Sequence, residues 1–314
     1  VSAREVNKFH GTFLSSIMKY QVNGRIHGEI NQLRGDNGGT VSGRLSMSNP
    51  NLQQVPARNK DFGPKIRSLF IPEEGFKWGS FDYSQQEPRM TVHYAASIGD
   101  GYEGSNELVE AYQNASADFH QTVADLVGIE RTQAKTIGLG LMYGMGKNKL
   151  AISLGVSKEE ADELIIKYNK KVPFVKKLSD RCKYAADEKG VIRTKKGRKC
   201  RFDLWETRDF GLHVAEKYED AVAKYGKDNI KRAYTYKALN RLIQGSSADQ
   251  TKQSMLDCYN EGHLPMLQIH DELCFNIKDK QHAEQIQKIM QNAIEFKVPS
   301  VVEYGLGESW GDAK

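Results

Sequence analysis

Apolar residues recur at three- and four-residue spacing over residues 118–127, 131–142, 157–168 and 172–188, the period of a helix with one buried face. Residues 1–20 carry the same helical pattern, and from residue 87 to about 239 the chain reads as mostly helical. Gly-rich alternating sequence over 24–46 reads as strands and turns. A strand signal lies at 77–81, and strand-like sequence is expected to return only at 266–269 and 273–277. This order predicts a β-containing base interrupted by a helical insertion. Residues 206–231 are dense in charge, with Phe210, Leu212, Tyr218 and Tyr225 thinly spread, and are expected to form an exposed helical excursion. The sequence shows no internal repeat and no low-complexity tract.

At roughly 100 to 200 residues per domain, 314 residues suggest about two domains. With 39% hydrophobic and 27% charged residues, a sizeable core and a well-solvated surface are both available, which excludes a disordered tail or a collagenous chain. The longest uncharged stretch, over 45–57, spans 13 residues, short of the ~20 apolar residues that cross a bilayer. No membrane span is expected. Residues 1–20 include Arg4, Glu5, Lys8 and Lys19 and no apolar signal-peptide core, so no export is expected. The chain opens at Val1 in mid-helix, which suggests further domains upstream. Cys182, Cys200, Cys258 and Cys274 show no C-x-x-C spacing, against a zinc site or disulfide framework and in keeping with a reducing cytoplasm.

The net charge of +5 is weak evidence for a polyanionic partner. Basic residues cluster at 58–67 and at 193–201, where RTKKGRKCR places six in nine; such a run is most often a solvated face. Two kinase-like triplets, Asp61-Phe62-Gly63 and Asp209-Phe210-Gly211, lack the H-R-D loop that would give them meaning. Gly140 to Lys147 resembles a phosphate loop with the wrong glycine spacing and Asn148 in place of Ser or Thr.

Three constellations remain. Asp82-Tyr-Ser-Gln-Gln-Glu87-Pro-Arg89 follows a strand signal, and a carboxylate there can hold Mg²⁺ shared with substrate phosphates; the competing reading is a Ser84/Glu87 capping box. In Arg131-Thr-Gln-Ala-Lys135-Thr-Ile-Gly-Leu139-Gly-Leu-Met-Tyr143-Gly144, four-residue spacing forms a slanting helical stripe ~18 Å long. Its cations suit triphosphate oxygens and its apolar end a base; an amphipathic helix with exposed basic residues explains it equally well. Leu267-Gln-Ile-His270-Asp271-Glu272-Leu273-Cys-Phe reads as a β-hairpin whose tip presents a carboxylate. A second metal-binding carboxylate beside Asp82 would complete a two-metal site.

These three motifs, in this order, resemble motifs A, B and C of family A DNA polymerases, the bacterial DNA polymerase I type and its phage relatives. Ser42-Gly-Arg44-Leu-Ser-Met-Ser-Asn-Pro-Asn51-Leu-Gln53 is similar to the family's TGRLSSxxPNLQ segment, with Ser42 for Thr. Asn240-Arg-Leu-Ile-Gln244-Gly-Ser-Ser-Ala-Asp249 is similar to its N-x-x-x-Q-G-x-x-A-D helix.

The resemblance implies an α+β, right-hand polymerase fold with an antiparallel-sheet palm and largely helical fingers. It places the end of a thumb helix at 1–20, palm at 21–100 and 236–314, and fingers at 101–235. It implies a template-directed DNA polymerase adding deoxynucleotides to a primer 3′-hydroxyl. Catalytic roles fall to Asp82, Asp271, Lys135 and Glu272, with two Mg²⁺ (Mn²⁺ as a substitute) on Asp82, Asp271 and the Tyr83 carbonyl. Gln85, Glu87, His120, Arg131, Lys135, Leu139 and Tyr143 would bind the deoxynucleoside triphosphate, Lys135 being placed to protonate pyrophosphate. Glu87 would exclude the ribose 2′-hydroxyl and pair with Tyr143. Arg44, Asn51, Gln53, Gly144, Asn240, Gln244 and His270 would contact primer-template DNA. The implied setting is the cytoplasm of a bacterium or phage-infected host, in replication or repair, with replication accessory proteins as further partners and no membrane.

Three departures qualify the resemblance. Leu139 stands where cellular enzymes have Phe and some phage enzymes Tyr, which predicts altered speed, fidelity or 3′-hydroxyl discrimination. The His120-to-Arg131 interval is shorter and 206–231 longer than in bacterial enzymes, and Gln86-Glu87-Pro88 replaces Ile-Glu-Leu; together these look phage-like. No D-x-E triplet occurs, so the family's proofreading exonuclease and most of the thumb are expected to be absent from this chain, and proofreading, if the full protein has it, to lie upstream. Two rivals are a single-subunit RNA polymerase, disfavoured by Glu87 and the His270-Asp271-Glu272 tip, and a non-catalytic nucleic-acid-binding module, disfavoured because every chemical residue is present.

Overall fold

A computed structural model of the chain describes residues 3–33, 38–56, 59, 61–113, 118–209, 211 and 213–313. Four strands, β1 (Lys77–Tyr83), β2 (Pro265–Ile269), β3 (Glu272–Ile277) and β4 (Val302–Gly307), pair antiparallel in the order β2-β3-β1-β4. The helices that carry or support the candidate residues are α1 (Gln86–Ala96), α2 (Phe119–Val127), α3 (Arg131–Met142), α4 (Ala238–Asn260) and α5 (Lys280–Asn292). The fold is α+β.

Side chains alternate between the two faces of a strand, and β1 uses both. Phe81 and Tyr83 point into an apolar layer with Leu273, Phe275, Ile277 and Val302, covered by Cys258 of α4 and by Ala283, Ile286 and Met290 of α5. Phe81 stacks on Tyr304 at 5.3 Å and meets Phe275 edge-on at 5.5 Å. Gly79 is required here, because a Cβ would collide with Ile277. On the other face Trp78 and Cys274 join a second cluster with Trp310, Ile66 and Met47, and the row ends in Asp82.

The chain divides into two compact units. The first comprises Val1–Gln86, Ser247–Glu295 and Ser300–Lys314, and holds the sheet; the second comprises Glu87–Ser246 and Phe296–Pro299. The core of the second gathers Phe119, Val123 and Val127 of α2, Ala134 and Ile137 of α3, and Tyr168, Phe174 and Leu178 from the helices Lys158–Lys171 and Pro173–Lys189. Ser157 and Glu160 cap the first of these reciprocally, and Pro173 opens the second. Met90, Val92 and Ala95 of α1 belong to the same core, as do Leu239, Leu242 and Ile243 of α4. That is why the division falls at Glu87 and Ser246, close to the span from 87 to about 239 that the sequence pattern reads as mostly helical.

Most expected elements form: the helical start over 3–18, the hairpins around 21–48, β1, β2, β3 and all four central helices. Four expectations need correction. Residues 206–231 are not a helical excursion. Trp205–Thr207 pairs with Ile230–Arg232 and a single helix, Tyr218–Tyr225, lies between them. Trp205 organises this piece, with the Arg232 guanidinium 4.6 Å and the Tyr218 ring 5.0 Å from its own ring. Phe210 and Leu212 lie outside the described residues, and Phe210 takes the second kinase-like triplet with it. The basic run at 193–201 is a second hairpin, Val191–Arg193 with Lys199–Arg201, which buries Ile192 and Cys200 and leaves Arg193, Lys199 and Arg201 exposed. The cluster at 58–67 is not simply a solvated face, because Arg67 is buried with its guanidinium 4.3 Å over Trp310; Arg58 and Lys60 lie outside the described residues. A further strand also follows the two expected near the C-terminal end: β4 went unread because Glu303, Gly305 and Gly307 interrupt its apolar pattern.

Among the described residues no helix is long and apolar enough to cross a membrane.

Candidate active site

In the first unit the sheet register assembles an acidic row. Antiparallel pairing sets Asp82 of β1 directly opposite Glu272 of β3 and, on its other side, opposite Glu303 of β4, and directly opposed residues share a face. β2 and β3 join through a two-residue turn whose first member, His270, takes the left-handed conformation at φ 58°, and Asp271 is its second. The Asp82 carboxyl is pushed up to about 7, first by lost hydration against the surrounding protein, then by the charges of Asp271, Glu272 and Glu303, with a backbone N–H from Tyr83 opposing. Asp82 remains solvent-exposed, so the crowding of like charges is the firmer cause. Carboxylates held this way favour a bound cation over a shared proton.

Among the described residues no group of three or more His, Cys, Asp and Glu side chains has the geometry of a closed metal cage. Mg²⁺ rarely uses one: it binds through one or two carboxylates and takes its remaining oxygens from water and substrate phosphates. Asp82 and Asp271 fit that donor set. Glu272 is engaged on the inner side, where its Oε1 accepts from Trp310 Nε1 at 3.3 Å and from Cys274 Sγ at 3.4 Å. Burial lowers the Arg67 guanidinium, and the Glu272 charge partly offsets that. The buried Tyr83 side chain points away from this row, its hydroxyl donating to the Met290 carbonyl and lying 2.6 Å from Ser254 Oγ.

The hairpin tip is braced from a distant segment. Gln53 Nε2 donates to Gln268 Oε1 at 2.9 Å, and Gln268 Nε2 donates to the His270 carbonyl at 2.6 Å. Asn51 accepts from the Gln53 backbone N–H and so caps the short Leu52–Gln54 turn. Asn51, Gln53 and His270 are thus one connected set. Arg44 is half-buried on the same unit, and Gln85 adopts φ 52° in the bend between β1 and α1.

In the second unit α3 presents the expected stripe. Arg131 and Lys135 are exposed and Leu139 and Tyr143 half-buried, whereas Ala134, Ile137, Gly138 and Met142 on the opposite face are buried. Tyr143 closes the helix, Gly144 follows at φ 68°, and a Cβ there would crowd the Tyr236 ring. The Tyr143 hydroxyl donates to Glu87 Oε2, and Thr91 hydrogen-bonds both the Glu87 carbonyl and Met142 Sδ. Glu87 therefore makes a tertiary contact with the end of α3.

Arg131 lies against Asp118, with Nε and Nη2 at 2.8 Å and 2.6 Å from Oδ2. His120 is buried with no hydrogen-bond partner for Nδ1. Burial lowers its imidazole to about 4, with Lys135 and Arg131 lowering and Asp118 raising it; at neutral pH it is an uncharged donor or acceptor. Asn240 and Gln244 are half-buried on the first turns of α4.

Comparison with known proteins decides the family. The family described as DNA polymerase family A matches residues 1–312. The chain belongs to that family. A DNA-directed DNA polymerase of Pseudomonas phage M6 is 38% identical over 356 residues, covering 98% of this chain and 50% of that protein. DNA polymerase I of Geobacillus stearothermophilus is 31% identical, covering 99% of this chain and 34% of that protein. A solved structure, the POL domain of Pol1 from M. smegmatis in complex with DNA primer-template and dNTP, superposes with a TM-score of 0.77 at 28% identity, over 99% of this chain and 52% of that one. The chain spans about half the length of the phage relative it matches.

Four residues of this family A chain escaped the sequence reading. Glu303 becomes visible only through the β1–β4 register. Trp310 and Arg67 interact with Glu272 from segments that carry no motif. Asp118 did carry a signal, an N-cap residue before an apolar helical run, but its pairing with Arg131 is tertiary.

Proposed function

We propose that this chain is the catalytic core of a DNA-directed DNA polymerase that extends a primer 3′-hydroxyl with deoxynucleotides on a template, by a two-metal nucleotidyl transfer. The observation that supports this most is the convergence of Asp82 and Asp271, 189 positions apart in sequence, through the β1–β3 register. In this reading the sheet and its helices are the palm, the second unit is the fingers, and residues 1–20 end a thumb helix.

Asp82, Asp271 and the Tyr83 carbonyl would hold two Mg²⁺, whose chemistry is to activate the 3′-hydroxyl and stabilise the leaving pyrophosphate. The chain's own residues supply the rest. Arg131 and Lys135 neutralise the triphosphate, and Lys135 hands a proton to pyrophosphate. Neutral His120 and Gln85 orient the same group by hydrogen bonds; positioning and charge neutralisation dominate phosphoryl transfer. Leu139 and Tyr143 offer the base a surface, and Glu87, fixed by the Tyr143 hydroxyl, occupies the space a 2′-hydroxyl would need. Glu272 steadies the hairpin tip through Trp310. Arg44, Asn51, Gln53, Gly144, Asn240, Gln244 and His270 position primer and template, sensing shape more than sequence.

No exonuclease is assigned to these residues. The setting that fits is bacterial or phage-infected cytoplasm, with replication accessory proteins as partners of the whole protein.

Extension of a labelled primer with Mg²⁺ and deoxynucleotides, by the parent and by Asp271→Ala, tests the assignment. The parent extends and the variant does not, while both bind primer-template comparably. Extension by the variant would refute the two-carboxylate mechanism.

A further inference from the structure

The Asp118 carboxylate does two things at once. Oδ1 accepts the backbone N–H groups of His120 at 2.9 Å and Gln121 at 3.1 Å, capping α2. Oδ2 takes the side edge of the Arg131 guanidinium through Nε and Nη2. Burial alone would raise this carboxyl, but Arg131 and the Gln121 and His120 N–H groups together hold it below the usual carboxylate range. Lys135, one turn further along α3, contributes to the field at His120. A single short side chain thus fixes the start of the helix that carries His120 and the head group of Arg131.

We propose that Asp118 is a positioning residue for the incoming triphosphate, holding Arg131 by its side edge so that its outer edge is already oriented for phosphate oxygens when the substrate arrives. This rests on the reading of Arg131 as a triphosphate ligand. An exposed ion pair of this kind contributes little to folding: the two side chains are 45% and 29% exposed, and such pairs are worth next to nothing when screened. What it does supply is order. A free arginine has many rotamers to lose on binding, and Asp118 removes that loss beforehand. His120, buried with Nδ1 unpartnered, gains from the same anchor because its own backbone N–H is one of the capped groups.

Asp118→Asn separates the two duties, since Asn caps helices as well as Asp but turns an amide N–H₂ toward the guanidinium. In steady-state extension by the purified polymerase, Asp118→Asn raises the deoxynucleotide KM about 3- to 10-fold and leaves kcat within about twofold, with unchanged melting temperature. Asp118→Ser, a second capping residue too short to reach Arg131, behaves alike. In an Arg131→Ala background Asp118→Asn has no further effect on KM, an outcome that a purely structural role for Asp118 does not produce. An unchanged or lowered KM in Asp118→Asn, while Arg131→Ala alone raises it, overturns the proposal. An unchanged KM in Arg131→Ala overturns the triphosphate reading itself, and the two failures are thereby told apart.

Discussion

The two units concentrate opposite charges by opposite means. In the first, a strand register forces Asp82 against Glu272 and Glu303, with Asp271 at the adjoining tip, and the result is a carboxyl held near neutrality. In the second, two histidines are buried beside cations, His120 with the Asp118 carboxylate opposing them. His93 accepts from the Lys297 backbone N–H at 3.1 Å and is lowered to about 4, by burial first and by Lys195 and Lys297 after it; His120 is lowered to a similar value near Lys135 and Arg131. Burial thus acts in opposite directions on a carboxyl and an imidazole, and holds each nearer its uncharged form.

The largest expected effect separates the units by kinetic constant. Asp82→Asn should reduce kcat roughly a thousandfold or more, the loss of several kcal/mol of transition-state stabilisation. Arg131→Ala should raise the deoxynucleotide KM about 10- to 100-fold, the worth of one charge-assisted contact. Single-turnover kinetics checks this, and a purely KM effect from Asp82→Asn would erase the distinction.

Sugar selectivity comes next. Glu87→Ala should admit ribonucleotides at least about tenfold more readily, since a side chain that occupies space discriminates by ~1–3 kcal/mol. Competition between deoxy- and ribonucleotides measures it, and unchanged selectivity would return Glu87 to a capping role.

Smaller still, and of opposite sign in the two units, is the response to pH in EDTA. A carboxyl raised to about 7 when folded gives stability that is complete below its unfolded value of about 3.9 and is lost as pH rises through 7. Histidines lowered to about 4 give stability that is complete above about 6.5 and is lost as pH falls through 4. Hydrogen exchange between pH 8 and 5 should therefore show tightening around β1 and loosening around α1 and α2. Parallel change in both segments would contradict the comparison. The smallest effect expected is from Leu139→Phe, which exchanges one apolar surface for another and so gains only part of the ~1–3 kcal/mol of a full base–aromatic stack; identical incorporation kinetics would show that Leu139 does not touch the base.

How far the sequence revealed this molecule depended on whether a feature was local. β1, the β2–β3 turn and the α3 stripe were legible because each is written in a run of neighbours with a clear period. α5 carries a helical period too, in Ala283, Ile286 and Met290, and was passed over, whereas β4 was hidden because its glycines lower its strand signal. The Asp82–Asp271 pair followed from recognising motifs, whereas Glu303 beside Asp82 and Asp118 beside Arg131 needed coordinates, since register and tertiary ion pairs leave no trace in spacing. The hairpins at 191–201 and 205–232 were misread for a related reason: three-residue strands are too short to show a period of two.

The sheet order carries a consequence for biosynthesis. β1 is one of the two inner strands, yet β3 and β4, its two partners, begin only at Glu272 and Val302. A ribosome adding about 5–20 residues per second leaves β1 with both edges bare for on the order of tens of seconds. During that interval an aromatic strand ending in Tyr83 waits while Glu87–Ser246, most of the second unit, emerges behind it. The nascent chain is then a docking target for any exposed strand nearby, and the Asp82 carboxylate, the one charge in β1 beyond Lys77, is what the waiting segment carries against aggregation.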